Sequence, residues 1–475
     1  MVTYNRTKII ATLGPATSDK EIIKEMIRAG TDVFRLNFSH ISHEDAAKLI
    51  DIVRDLNSEL NTCTALLADL QGPKLRVGKV QDGGIFLTSG TEVNISTVRN
   101  ESNEENISVS YDRLAADTKK GEQILIDDGN IRLEVIETDG VSEIKASVIY
   151  GGLLTSNKGF NLPNTKVSLP CLTDKDKDDL NFAIEKSIEW IGLSFVRSAT
   201  DVIELRHLIS KQNSPAKVIA KIEKPEALQD IESIIQHSDG IMIARGDLGV
   251  EMDLEKVPMI QKNIVKMCLT HAKPVIIATL MMQSMIDSPV PFRAEVNDVA
   301  NAVLDGADAL MLSGETSVGK YPLKVLKTMV KIIEEIETND EIYRREIVPN
   351  KTPERFINDS ICFNACKLAG RVGAEVITTM TNSGYTALKV SSMRPKAHII
   401  AFTANKSIIN TLNLVWGVRC YYYDKTISTD HTIEDIQYFL KKSGFVSQGD
   451  FVVHTASMPI DEMGTTNSLK LGEIK

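Results

Sequence analysis

The segment GIMIARGDLGVE, residues 240–251, decides how the chain reads. Its apolar run, residues 241–244, stops abruptly at Arg245, Gly246 and Asp247. A run this short between turns has the length of a buried strand. In parallel α/β folds the reactive groups gather where strands end, at the C-terminal face. Gly246 lets backbone approach a ligand closely, and Asp247 is a hard oxygen donor suited to a divalent cation. The same pattern also fits a simple helix cap, so the flanking sequence has to decide.

Working outward, the same βα unit recurs. Residues 190–196, 217–223, 274–279 and 309–312 read as further strands, each followed by a helical segment. One such segment, 225–237, opens on Pro225 and ends before Gly240. Ahead of them, residues 8–13, 33–38 and 64–69 are strands alternating with helices. Ser18 three residues before Glu21 predicts a capping box for the first helix. Three strands and then five make eight, which points to a TIM (β/α)8 barrel; a doubly wound open sheet is the alternative. Between the third and fourth strands the helical period disappears. Residues 72–167 alternate with period two, as at Ile131, Leu133 and Val135, and are cut by turns such as Asp128-Gly129. This is an inserted small β-barrel domain. The expected division is therefore 1–71 with 168–340 as the barrel, 72–167 as the insert, and 341–475 as a C-terminal α/β domain. A charged stretch at 337–352 reads as a linker, with Lys331, Glu334, Glu335 and Glu337 as a solvated helix face.

With 475 residues, 43% hydrophobic and 25% charged, the chain can bury large cores. Its net charge of -10 argues against general nucleic-acid binding. The first residues lack the apolar stretch of a signal peptide, and no run is long enough to span a membrane. The 6 cysteines form no CxxC, so buried free thiols in a cytoplasmic protein are expected. His207, His237 and His271 read as helix-surface or packing residues, and Met281, Met282 and Met285 as packing.

The strand ends are crowded with polar groups. The second carries Arg35, Asn37, Ser39 and His40; the third, Asp69 and then Lys74 and Arg76. The fifth carries Lys221 and Glu223 on one face, the sixth Arg245, Gly246 and Asp247, the seventh Thr279 and the eighth Ser313, Gly314 and Glu315. A barrel interior that only packs would be mostly branched aliphatics. This mixture suits metal-assisted chemistry on an anionic, phosphorylated substrate.

The motifs TKIIATLGPA, VFRLNFSH, DLQGPKLRVG, SNKGFNLP, AKIEKPEAL, IMIARGDLGVE and FRAEVNDVANAVLDGADALMLSGETSVGKYP resemble the pyruvate kinase family over essentially the whole chain. The resemblance implies phosphoryl transfer from phosphoenolpyruvate to ADP, giving pyruvate and ATP. It implies Glu223 and Asp247 as ligands of Mg2+ or Mn2+, with Lys221 and Arg35 on the phosphoryl group. Gly246, Asp247 and Thr279 fall at the substrate-carboxylate site, and Thr279 and Ser313 near the proton route. Asn37, His40, Arg76, Lys158 and Lys175 match nucleotide-side positions, with the insert as a lid. A homotetramer is implied, as is a sugar-phosphate or nucleotide effector. The loop Thr381, Asn382, Ser383, Gly384, Tyr385, Thr386 is the candidate phosphate cradle. Two other enzyme-class and scaffold readings compete: a magnesium-enolate lyase, and a silent effector-binding protein.

The sequence departs from the family pattern in places. Potassium-requiring members carry Asp-Thr-Lys-Gly-Pro-Glu after the third strand, whereas here Asp69-Leu70-Gln71-Gly72-Pro73-Lys74 stands. The Lys74 ammonium replaces the charge a bound ion would supply, so potassium is not expected to be required. Asn37, Ser39, Asp69 and the Leu70 carbonyl remain as a vestigial ion site. In relatives the arginine matching Arg293 reaches across a subunit interface toward the magnesium loop. Tyr385 stands where some sugar-bisphosphate-regulated members have Arg, and residues 455–458 lack a frequent glycine.

Overall fold

Eight parallel strands close into a barrel in the computed structural model, which describes residues 4–475 apart from 100, 164, 344, 346, 350–354, 426–427 and 459–463. They are β1 (Lys8–Thr12), β2 (Val33–Asn37), β3 (Ala65–Asp69), β4 (Trp190–Leu193), β5 (Lys217–Ile222), β6 (Gly240–Ala244), β7 (Val275–Ala278) and β8 (Ala309–Leu312). Each pairs in parallel with its sequence neighbour, and β1 pairs with β8, Lys8 opposite Ala309. Closure removes both sheet edges and sets aside the open doubly wound alternative. Ile10, Val33, Leu67, Trp190, Ile219, Met242, Ile276 and Met311 fill the interior, so the barrel is a packed core and not a channel.

Several local expectations change. Asp19, not Ser18, caps the first helix, Lys20–Arg28: its carboxylate accepts the Glu21 and Ile22 amides. A carboxylate one residue nearer the helix outcompetes the hydroxyl for those donors. Segment 225–237 is two helices, Pro225–Gln229 and Ile231–His237, broken at Asp230. There the Asp230 carboxylate accepts the Ala199 amide, a tertiary bond that the helical pattern did not announce. Glu337 is not solvated. It accepts the Arg6 and Thr7 amides beside the first strand, and burial raises its carboxyl above the usual range. Met281, Met282 and Met285 are fully buried, as packing residues should be.

The insert folds around its own apolar cluster, from Val77 to Leu162. Its hydrogen bonding runs as a six-stranded sheet with two short ribbons. Most pairs are antiparallel, but Glu92–Ser96 pairs with Asn106–Ser108 in parallel. The chain leaves the barrel at Gly72, whose φ of +68° only glycine adopts readily. A side chain there would also meet the Phe195 ring at 2.7 Å.

The C-terminal part carries β9 (Val376–Met380), β10 (His398–Thr403), β11 (Val418–Tyr422), β12 (Phe451–Ala456) and β13 (Ser468–Glu473) in the order β11-β10-β9-β12-β13. The antiparallel edge strand β13 was not expected; its SLKLGE sequence lacks a continuous apolar run, and half of it faces water. Linker positions 344, 346 and 350–352 lie outside the described residues. This domain plugs the barrel's N-terminal end. Leu414 joins the interior cluster, and Arg394 reaches the buried Asp308 at 3.0 Å. No helix among the described residues is long and apolar enough to cross a membrane.

Candidate active site at the C-terminal face

β3 and β5 bring the charges together. Asp69 ends β3 and is buried. Its Oδ2 accepts from Arg35 Nε at 2.7 Å, and its Oδ1 lies 3.1 Å from Lys221 Nζ. Lys221 also lies 2.9 Å from Glu223 Oε1 and donates to Ser194 Oγ at 2.7 Å. Burial alone would raise the Asp69 carboxyl, but Lys221 and Arg35 hold it below the usual range. Burial would depress the Lys221 ammonium, yet Asp69 and Glu223 keep it above normal. The Glu223 carboxyl is raised, first by burial and also by the Asp247 carboxylate, with Lys221 opposing. That mutual repulsion places Glu223 and Asp247 in one electrostatic site. Among the described residues no cluster of three or more His, Cys, Asp or Glu converges as a ready metal cage. Two carboxylates suit Mg2+, which keeps positions for water and substrate oxygens. Two cations against three carboxylates leave one negative charge in the cluster, and a divalent cation would reverse its sign.

Glu223 is oriented from outside: its Oε2 accepts the Phe195 amide at 2.7 Å. Phe195 holds φ at +55°, an uncommon conformation that turns its N–H toward the carboxylate. Asp247 sits in the first turn of the short helix Arg245–Glu251 and is half-buried. The preceding Gly246 amide donates to Thr279 Oγ1 at 2.7 Å, and that hydroxyl donates to the Ala278 carbonyl. Thr279 and Leu280 both have positive φ, +68° and +57°. Two left-handed non-glycine residues in succession store about 1–3 kcal/mol each, a strain that clusters at functional sites. Arg245 fastens this corner. It grips Asp298 at 2.6 and 2.7 Å and donates to the Thr279 carbonyl at 2.9 Å.

The nucleotide-side candidates gather less tightly. Burial and the charges of Arg76, Lys74 and Arg35 together push His40 below its ordinary range, so two of these candidates, His40 and Arg76, share a neighbourhood with Lys74 and Arg35. Lys158 pairs with Asp127 at 2.6 Å, within the insert. Lys175 is tied to Asp179 and to the Phe38 carbonyl. A cleft between insert and barrel is lined by Lys74, Asp128, Asn161, Phe195, Arg197 and Asp247. The vestigial ion-site atoms are largely engaged: Asn37 Oδ1 accepts the Ser39 amide, and the Leu70 carbonyl accepts from Ser194 Oγ. Ser313 occupies the cap position of helix Gly314–Ser317, but its side chain makes no cap bond. Instead the buried Glu315 accepts the Ser313 and Met282 amides, lacing β7 to β8. Arg293 is exposed at the start of helix Arg293–Asp305, the helix that also carries Asp298. In the loop after β9, Thr381 Oγ1 accepts the Gly384 amide, and Thr386 is buried against Thr466.

Sequence reasoning missed Ser194, Phe195 and Asp298, whereas Glu315 was already visible as a polar group at the end of the eighth strand. None of the missed residues belongs to a reactive residue type in a telling pattern. The first two sit just past β4, a position that could have drawn them in.

The comparisons with known proteins agree with this geometry. The model of the pyruvate kinase barrel domain matches residues 4–326, and that of the pyruvate kinase alpha/beta domain matches 359–471. The chain is 41% identical to pyruvate kinase 2 of Synechocystis sp. over 473 residues, 99% of this chain and 79% of that protein. It is 40% identical to the pyruvate kinase of Staphylococcus aureus strain MRSA252 over 467 residues, 98% of this chain and 80% of that one. The crystal structure of a pyruvate kinase from Cryptosporidium parvum superposes with a TM-score of 0.92 at 34% identity, covering 99% of this chain and 96% of that one. A closed eightfold barrel with paired carboxylates at its C-terminal face, matched over nearly its full length, places the chain in the pyruvate kinase family.

Proposed function

We propose that this phosphotransferase moves phosphoryl from phosphoenolpyruvate to ADP at the C-terminal face of its barrel, releasing pyruvate and ATP. The cluster of Arg35, Asp69, Lys221, Glu223 and Asp247 carries the proposal. Glu223 and Asp247 would hold Mg2+ or Mn2+, which when bound offsets charge on substrate oxygens. Lys221 and Arg35 donate to the transferring phosphoryl group, each already oriented by Asp69. The Gly246 amide and the Thr279 hydroxyl orient the substrate carboxylate. That carboxylate must displace their present bond to one another. Thr279 and Ser313 flank the route by which a proton reaches the enolate. His40, Arg76, Lys158 and Lys175, with Asn37, meet the nucleotide, and the insert, 72–167, closes over it and excludes water.

Lys74 makes the activity independent of potassium. The exposed Arg293 and Phe292 meet a neighbouring subunit in a cytoplasmic homotetramer. The loop bearing Thr381, Ser383, Gly384 and Thr386 receives a sugar phosphate or nucleotide in the domain spanning 341–475. The test is direct: phosphoenolpyruvate, ADP and Mg2+ are supplied, and pyruvate is followed through lactate dehydrogenase. Pyruvate should form, and Lys221→Met should abolish it. No pyruvate across a panel of sugar phosphates and nucleotides would refute the assignment.

A further inference from the structure

Glu251 has no role in the scheme above, yet it is 3% exposed and carries a charge. It closes the helix Arg245–Glu251, four residues after Asp247 and so one turn away along the same side. Its Oε1 accepts from Lys224 Nζ at 2.7 Å and from Asn161 Nδ2 at 2.8 Å. Its Oε2 is buried without a hydrogen-bond partner among the described residues. Lys224 directly follows Glu223, and Asn161 lies in the insert's last strand, Phe160–Asn161. One oxygen atom therefore joins the segment of one metal carboxylate, the segment of the other, and the insert.

From this knot we infer that Glu251 is a positioning residue that sets the spacing of Glu223 and Asp247 and links that spacing to the insert. The inference rests on the reading of those two carboxylates as the metal pair. The two ligands leave paired neighbouring strands, Ile222 opposite Ile243, but Asp247 lies three residues past the end of β6, so the ladder alone does not set their separation at the tolerance a hard cation needs. Glu223 is anchored by the Phe195 amide. Asp247 is held at the start of its short helix by Arg245, and Glu251 ties the far end to Lys224 beside Glu223. Movement of the insert pulls on the same oxygen through Asn161. Groups that orient metal ligands in this indirect way typically change affinity about 10- to 100-fold when removed.

The test measures Mn2+ binding to the whole enzyme without substrates, by the electron paramagnetic resonance of free Mn2+. Wild type should bind, and Glu223→Gln should bind far more weakly. Glu251→Ala should raise the Kd about tenfold or more, with Glu251→Gln, which keeps the shape, intermediate. Asn161→Ala should bind Mn2+ nearly as wild type does. Hydrogen exchange then reads the link: Mn2+ should slow exchange around residues 160–161 in wild type but not in Asn161→Ala. Circular dichroism verifies the folded state, and the isosteric Glu251→Gln decides if Glu251→Ala does not fold. Wild type failing to bind Mn2+, or Glu223→Gln binding normally, overturns the metal reading and this inference with it. Normal Mn2+ affinity in folded Glu251 variants, or undiminished protection in Asn161→Ala, overturns this inference alone.

Discussion

Replacing Asp298 by Ala should lower kcat/KM for phosphoenolpyruvate by about 5- to 150-fold, although Asp298 is not expected to touch the substrate. Arg245 and Asp298 form a two-pronged pair, 14% and 33% exposed at their side chains. Breaking a fully buried pair costs about 3–5 kcal/mol, whereas an exposed pair is worth about 0–1 kcal/mol. A pair this partly sheltered lies between, at about 1–3 kcal/mol. Global unfolding need not take the loss. Arg245 opens the helix bearing Asp247 and donates to the carbonyl of the left-handed Thr279. Releasing its guanidinium frees the Gly246–Thr279 contact, the one proposed to meet the substrate carboxylate. At 1.4 kcal/mol per factor of ten, 1–3 kcal/mol becomes the stated range. Initial rates at saturating ADP and Mg2+ give kcat/KM, and Asp298→Asn, which keeps one acceptor, should fall between. Hydrogen exchange at Gly246 should quicken in parallel. A kcat/KM within twofold of wild type for folded Asp298→Ala would show that the fork does not organise the site.

Three further outcomes are expected. Lys74→Glu should make activity depend on potassium; rates equal in potassium and tetramethylammonium would refute the charge-replacement argument. Arg394→Met should lower the urea-unfolding free energy by about 3 kcal/mol or more, because the buried Arg394 faces Asp308 and the Trp416 ring where the C-terminal domain docks; an unchanged midpoint would refute it. His454 is 5% exposed, and burial, with Lys470 adding, lowers it to about 4. The unfolded chain takes up that proton near 6.5 and the folded one does not, so the stabilisation is present above about 6.5 and is lost as pH falls toward 4, up to about 3 kcal/mol. His454→Gln should flatten that slope in urea titrations between those pH values, and an unchanged slope would assign it to other groups.

The barrel was readable because period and punctuation carry it. Apolar runs, glycine and proline stops and intervening helices recur eight times, and only closure needed coordinates. The reactive groups were readable for the same reason: an alternating strand that ends in Lys221, Ile222, Glu223 announces which side chains share a face. What escaped notice has one physical origin. A hydrogen bond between distant segments leaves no local trace, so the residues that aim the reactive groups resemble ordinary loop polars. Asp69 shows this most clearly. The family resemblance gives it to a vestigial ion site, and the fold adds a task no pattern announced, burying it between Arg35 and Lys221 as their shared counter-charge. Glu337 was likewise read from its own helix, while its actual partners, the Arg6 and Thr7 amides, lie 330 or more positions away. Such a carboxylate is chosen by what it must neutralise or cap across the fold, and its identity becomes intelligible only once that partner is known. Where charge is positioned for the chemistry, as at Asp69, or for domain docking, as at Arg394 against Asp308, the sequence pattern therefore carries no signal of the partner.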